Sequence, residues 1–356
     1  MAASKRRLVL LICLLIGTVA IAALSFSSYQ NHLSKSVPAW YPPHIRAKLA
    51  NNTTDSLAHP PSSASVKTAS AKVSVEEPIP LINSTLVRGR RYAVASSVMT
   101  ARFSQYAMML AYSLQKYNDF EALDVDLILL VRTEGKEAVT PQNITRLERV
   151  GWKIMNEHDL DFEGVNKNAI RPYHRYNLNK LYLWSYTQYD RIVFIDADTL
   201  CKGSISELFD QPGEIAGSPD VWWDILTDTR FNSGVITFRP SIEEFRSMVT
   251  AVSDPRMHKP NDADQAFLNQ YFKFRFHGLP YKYNFNIVMY QHFRRVWDNF
   301  WPEAVIVHFT TKKPMPSPKD HCRKGCNEWE PSEWYSMVCR EMLSFYGYEN
   351  ELPLLG

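Results

Sequence analysis

The apolar run Ile192-Val193-Phe194-Ile195 stops abruptly on Asp196-Ala197-Asp198. Four consecutive apolar residues, rich in β-branched and aromatic types, predict a short strand buried on both faces. Such strands belong to mostly parallel sheets covered by helices. In those sheets ligands bind outside the carboxyl ends of the strands. Two carboxylates one residue apart at that end can hold a hard divalent cation. A bare Asp-x-Asp is common in loops, so its weight here comes from the strand before it.

The flanking sequence repeats the alternation of strand and helix. Tyr92–Val98 reads as a strand, and Ser104–Tyr117 as a helix with Tyr106, Met109, Leu110 and Leu114 on one face. Asp126–Val131 is a second strand. Thr140-Pro141 is an N-cap followed by proline at the first helical position, opening a helix to about Val150. Trp152–Met155 is a third strand, Leu178–Gln188 a helix and Arg191–Ile195 the fourth strand. Further on, Ser233–Phe238 and Val305–Phe309 read as strands. Ser241 with Glu244 forms a capping box for a helix to about Val252. Ala263–Phe272 and Ser332–Tyr346 are further helices. The pattern predicts one α/β domain over residues 88–356, with a nucleotide half first and an acceptor half second.

Before it, Lys5, Arg6 and Arg7 precede an uncharged apolar run over residues 8–26. That run approaches the roughly 20 residues a membrane-crossing helix needs. With the positive flank on the cytosolic side, residues 1–7 form a cytosolic tail and 8–26 a signal-anchor. A cleaved signal peptide is the competing reading, less favoured because the run exceeds a usual signal core. Residues 27–87 are rich in Ser, Pro, Ala, Asn and Thr, which makes a disordered stem. The expected location is therefore the Golgi membrane, single-pass type II, with the head in the lumen. Asn51, Asn52, Asn83 and Asn143 begin N-x-S/T sequons, which accords with that compartment. A lumen also permits a disulfide among Cys322, Cys326 and Cys339. The Cys322-x-x-x-Cys326 spacing beside His321 is compatible with a metal site as well, although a second ligand pair is missing. A net charge of +3 without basic blocks argues against a nucleic-acid partner.

Five motifs in order resemble glycosyltransferase family 8, the glycogenin-like family with a GT-A fold. They are the opening strand and helix at Tyr92–Leu114, Lys180–Trp184 leading to Asp198, Phe231-Asn232-Ser233-Gly234, Asp264-Gln265, and Val307-His308-Phe309 with Lys313-Pro314. The resemblance implies that Asp196, Asp198 and His308 coordinate Mn2+ (or Mg2+). It implies that Lys313 contacts the diphosphate of a UDP-sugar, that Lys180 and Ala197 lie beside the donor, and that Val94, Ala95 and Phe103 shape the base pocket. Asn232 would bond the donor sugar, and Asp264 and Gln265 would sit near the reacting carbon. Such a metal neutralises charge growing on the departing diphosphate. The expected activity is transfer of a hexose-type sugar (GlcNAc, glucose or glucuronic acid) to a glycan or glycoprotein hydroxyl, with the anomeric configuration retained. The closing segment lacks the family's frequent glycine and tryptophan. An anchor and stem also set the chain apart from soluble glycogenin. A sugar nucleotidyltransferase is disfavoured because Ser96–Ser104 contains no glycine. A non-catalytic lumenal binding module is disfavoured by the intact ligand triad. Trp222, Trp223 and Asp224 are candidates for the donor or acceptor side, with core packing equally open for the tryptophans.

Overall fold

The computed structural model describes residues 91–162, 165, 168, 170, 174–221, 230–257, 259, 262–311 and 330–349. All belong to the unit Asn83–Gly356. The run at residues 8–26, the stem, and residues Trp222, Trp223, Asp224, Lys313, Cys322 and Cys326 lie outside them. Among the described residues, no helix is long and apolar enough to cross a membrane.

Seven strands form the main sheet: β1 (Tyr92–Val98), β2 (Val125–Val131), β3 (Lys153–Asn156), β4 (Arg191–Ile195), β6 (Ile215–Pro219), β7 (Phe231–Phe238) and β8 (Phe276–Gly278). Their order is β3-β2-β1-β4-β7-β6-β8. The first four are parallel, as the strand–helix alternation predicts, while β7 runs antiparallel between β4 and β6. Alternate residues serve opposite layers. Val94 and Val98 face one apolar layer, and Ala93 and Ala95 the other. The strand order reverses between β1 and β4, so their carboxyl ends frame the crevice where such sheets take ligands.

Helices cover both faces. On one, α1 (Ser104–Tyr117) packs against α2 (Pro141–Arg149) and α7 (Glu330–Tyr346). The expected single apolar stripe on α1 is wider in fact, since every residue from Ser104 to Leu114 is buried. Thr140 caps α2 by accepting the Asn143 N–H at 3.3 Å, with Pro141 in the first turn. Asn143 itself is buried and its side-chain oxygen accepts from Arg146. Cys339 is a buried thiol in α7, raised to about 12 chiefly by burial.

On the other face lie α3 (Ile242–Val252), α4 (Asp264–Tyr271) and a 3₁₀ segment, Asn177–Ser185. Ser241 caps α3 by accepting the Glu244 N–H at 3.2 Å, but the Glu244 carboxylate turns to Arg275 instead of closing the capping box. The 3₁₀ segment corrects the expected α-helix at Leu178–Gln188. With three residues per turn, side chains three apart line up. Lys180 and Leu183 form one buried row and Leu178, Leu181 and Trp184 another, while Tyr182 and Ser185 are only partly buried. An α-helical pitch would separate these rows. Trp184 then stacks on Phe238 of β7 with ring centroids 3.8 Å apart.

A second sheet contains the strand read at Val305–Phe309, but its other two strands escaped the sequence pattern because they are only two or three residues long. It joins β5 (Thr199–Cys201), β10 (Ile306–His308) and β9 (Phe285–Asn286), in that order. β10 pairs antiparallel with β5 and parallel with β9. This pairing sets His308 opposite Thr199 and Asn286, directly beside the Asp196–Asp198 turn. Between β9 and β10 run two short helices, α5 (Ile287–His292) and α6 (Arg294–Phe300).

Candidate active site

Two chain segments converge where β4 ends. The turn after β4 carries Asp196 and Asp198, and β10 delivers His308. The Phe309 N–H donates to the Asp198 carbonyl at 3.0 Å, which locks the two segments together. One ligand atom from each of Asp196, Asp198 and His308 lies within 4.8 Å of the others. His308 Nε2 is 3.2 Å from Asp198 Oδ1 and 3.9 Å from Asp196 Oδ2. Two carboxylates and an imidazole on one side of a crevice form a donor set suited to a first-row or hard divalent ion, so the residues fit a metal.

Gly234 makes the fit possible. A Cβ there would stand 2.7 Å from His308 Nδ1 and 2.9 Å from Asn232 Oδ1. Its carbonyl also accepts the Asp196 N–H at 2.7 Å. Gly234→Ala is expected to displace the imidazole and weaken Mn2+ binding by about tenfold or more. Titration of Mn2+ followed by electron paramagnetic resonance checks this, and unchanged affinity would refute it.

Lys180 supplies the opposing charge. Its side chain is 2% exposed, and Nζ donates to Asp264 Oδ2 at 2.7 Å and to the Ser233 carbonyl at 3.1 Å. It lies 3.7 Å from Asp196 Oδ1 and over the Phe194 ring. Burial would lower the Lys180 pKa, but Asp196 and Asp264 together hold it above the ordinary lysine value. Burial pushes Asp264 upward, yet the charge and hydrogen bond of Lys180 outweigh that and keep it ionised below the usual range. Asp196 is raised, first by burial and further by Asp198, against the pull of Lys180. Asp196 and Asp264 thus share one lysine with Asp198 close by, and the surplus negative charge favours a cation.

Asp264 opens α4, the position where a carboxylate suits the helix dipole. Here it also faces inward, accepting from Ser233 Oγ at 2.9 Å. Gln265 Oε1 accepts the Ser233 N–H at 3.1 Å, and Gln265 Nε2 donates to Asp220 at 2.8 Å. Asn232 Oδ1 accepts the Gly234 N–H at 3.0 Å. Asn232, Asp264, Gln265, Lys180, Asp196, Asp198 and His308 therefore gather in one polar cluster joined by β4, β7, α4 and β10. Ala197 is buried within the turn itself.

Val94 and Ala95 are fully buried in the middle of β1, paired with Val193 and Phe194. Nearer the crevice, Phe103 is partly exposed on a 3₁₀ turn after β1, with its ring 5.5 Å from that of Tyr106. Sequence reasoning passed over Ser96, Thr100 and Ser104 beside it. Their hydroxyl oxygens are buried without a hydrogen-bond partner at the carboxyl end of β1. Orphan polar atoms at that edge mark where a ligand's own polar groups would be met. The missed signal was the cluster of Ser and Thr between strand and helix. Asp220 and Asn284 were missed as well, since they act only through other side chains.

Comparison with known proteins accords with this geometry. The GT-A-like glycosyltransferase fold recurs in the solved structure of galactosyltransferase LgtC in complex with donor and acceptor sugar analogs. The match covers 70% of this chain and 95% of that one, with TM-score 0.51 and 17% identity. The family model described as Glycosyl transferase family 8 matches residues 94–314. The chain belongs to that family. It is 34% identical to human Glycogenin-1 over 145 residues, covering 39% of each chain. It is 28% identical to UDP-glucuronate:xylan alpha-glucuronosyltransferase 2 of Arabidopsis thaliana over 228 residues, 62% of this chain and 34% of that protein. The chain thus spans well under half the length of these relatives.

Proposed function

We propose that this chain is a metal-dependent glycosyltransferase that moves a hexose-type sugar from a UDP-sugar to a hydroxyl of a glycan or glycoprotein. The observation that carries the reading is the Asp196–Asp198–His308 triad at the end of β4, beside the Lys180–Asp264 pair, in a member of family 8. One relative, UDP-glucuronate:xylan alpha-glucuronosyltransferase 2, takes a UDP-sugar by its name, which supports a UDP donor. Held by the triad, Mn2+ or Mg2+ would supply positive charge to the departing diphosphate.

The chain's own residues then bind and orient. The orphan hydroxyls at the end of β1 and the Phe103 ring face the nucleoside side, where an aromatic surface and unpaired donors suit a base and ribose. Asn232 and Gln265 hold amide groups toward the sugar. The Asp264 charge is committed to Lys180, which makes it a poor nucleophile and a good electrostatic partner for a developing oxocarbenium. We favour transfer on one face of the sugar. The anomeric carbon–phosphate oxygen bond breaks with its electron pair leaving on UDP, the acceptor oxygen bonds the same carbon, and its proton passes to the departing phosphate oxygen. The configuration is retained without a covalent enzyme intermediate, and catalysis rests on positioning and charge.

The apolar run at residues 8–26, its cationic flank and the following stem support a Golgi, type II membrane placement. The test is a donor-hydrolysis screen of the purified protein with UDP-glucose, UDP-GlcNAc, UDP-galactose and UDP-glucuronic acid, with and without Mn2+. Metal-dependent UDP release from one donor is expected. A folded protein that neither releases nor binds UDP would sink the proposal.

A further inference from the structure

His308 is held by a chain of side-chain amides that runs away from the metal site. Its Nδ1 lies 2.9 Å from Asn284 Oδ1. Asn284 Nδ2 donates to Asn232 Oδ1 at 2.9 Å, and Asn232 Nδ2 reaches Asp220 Oδ1 at 3.4 Å. Asp220 Oδ2 receives Gln265 Nε2, and Gln265 Oε1 receives the Ser233 N–H. Asn232, Asn284 and His308 are all buried.

The direction of this chain is fixed by groups that cannot flip. The Gly234 backbone N–H is a donor only, so the Asn232 atom it meets must be oxygen. That oxygen requires the Asn284 atom facing it to be the NH2 group. Asn284 must then turn its oxygen toward His308 Nδ1, and two acceptors cannot share a bond. Nδ1 therefore carries the proton, and in the neutral ring Nε2 keeps its lone pair. The other end agrees independently, because the Asp220 carboxylate accepts only and demands NH2 groups from both Asn232 and Gln265. Nε2 is the atom that faces Asp196 and Asp198.

We infer that Asn284 is a positioning residue that fixes the His308 tautomer, with Asn232 and the Gly234 N–H setting its orientation, so that Nε2 is presented bare to a divalent cation. The inference rests on the metal reading above. The ring nitrogen remote from a metal ordinarily donates to a carbonyl, carboxylate or water, and losing that partner costs about 10- to 100-fold in metal affinity. In this site a side-chain amide does the work. The same amide chain ends on Gln265 and Asn232, which ties the imidazole to the residues proposed to face the donor sugar.

The test uses purified full-length protein with two readouts. Long-range 15N–1H correlation of the metal-free protein, with the His308 signal assigned by its loss in His308→Gln, is expected to show the proton on Nδ1. Mn2+ titration is expected to give a Kd about 10- to 100-fold weaker for Asn284→Ala and for the volume-filling Asn284→Leu, each checked by thermal unfolding. Asn284→Asp keeps an acceptor for Nδ1–H but turns a second oxygen onto Asn232 Oδ1, so it is expected to lose less affinity than Asn284→Leu without reaching the parent value. A proton on Nε2 in the parent overturns the inference, as does parental Mn2+ affinity in folded Asn284→Leu. If the parent shows Nδ1–H but binds no Mn2+, the metal reading fails while the tautomer assignment stands.

Discussion

Replacing Asp198 by alanine is expected to lower Mn2+-dependent UDP release by about three orders of magnitude while leaving the protein folded. Charge stabilisation of a leaving group by a bound cation amounts to several kcal/mol, and each 1.36 kcal/mol is tenfold in rate. The fold should survive because Asp198 holds the small sheet through its backbone carbonyl, which accepts from Phe309 and does not need the carboxylate. Removing one of three crowded carboxylates also relieves repulsion, so the unfolding midpoint without metal should not fall. With metal added, the parent's midpoint should rise and the variant's should not. A rate within threefold of the parent would remove Asp198 from the site's chemistry.

The second large effect lies in the buried ion pair. Lys180→Met is expected to destabilise the domain by about 3–5 kcal/mol, because it leaves the Asp264 carboxylate buried without its cation. Its pH dependence has a definite sign. In the parent, Asp264 titrates below its unfolded value, so its contribution is complete above about pH 4 and is lost as pH falls through the folded value. In the variant the same carboxyl, deprived of Lys180, titrates above its unfolded value. The variant is then penalised most near neutral pH and recovers as acid protonates Asp264. The stability gap should narrow on going from pH 7 to pH 4 in chemical denaturation. Pairing Lys180→Met with Asp264→Leu should recover much of the loss, since replacing both charges by apolar groups avoids the orphan. A gap that stays constant from pH 7 to pH 4 would show that Lys180 acts through packing alone.

Much of this architecture was legible because burial leaves a mark on composition. Strands β1, β2 and β4 are nearly continuous apolar runs, and Thr140-Pro141 and Ser241 announce their helices with side chains that do cap them. The ligand triad was legible through motifs in order, although its members lie far apart in the chain. Lys180 was ambiguous as text, since a helical lysine is ordinarily solvated. The 3₁₀ winding at Asn177–Ser185 turns it inward. What could not be read were contacts made by short or distant pieces. β5 and β9 are too brief to carry a period. Asn284 and Asn232 meet across 52 residues of sequence, and neither belongs to a pattern that names its partner. The orphan hydroxyls of Ser96, Thr100 and Ser104 become visible only once their neighbours are known to be apolar.

The small sheet has a consequence for how the protein matures. Its strands are drawn from Thr199–Cys201, Phe285–Asn286 and Ile306–His308, so the cation site stays open until the last of them emerges from synthesis and docks. A chain halted short of β10 could still assemble the parallel strands yet would have no imidazole to offer. A cation binding Asp196, Asp198 and His308 would then act as a clasp. It would close a loop of roughly a hundred residues and add to stability with the logarithm of the ratio of its concentration to its dissociation constant. Metal supply in the compartment would thereby govern how long the finished molecule lasts, as well as how fast it works.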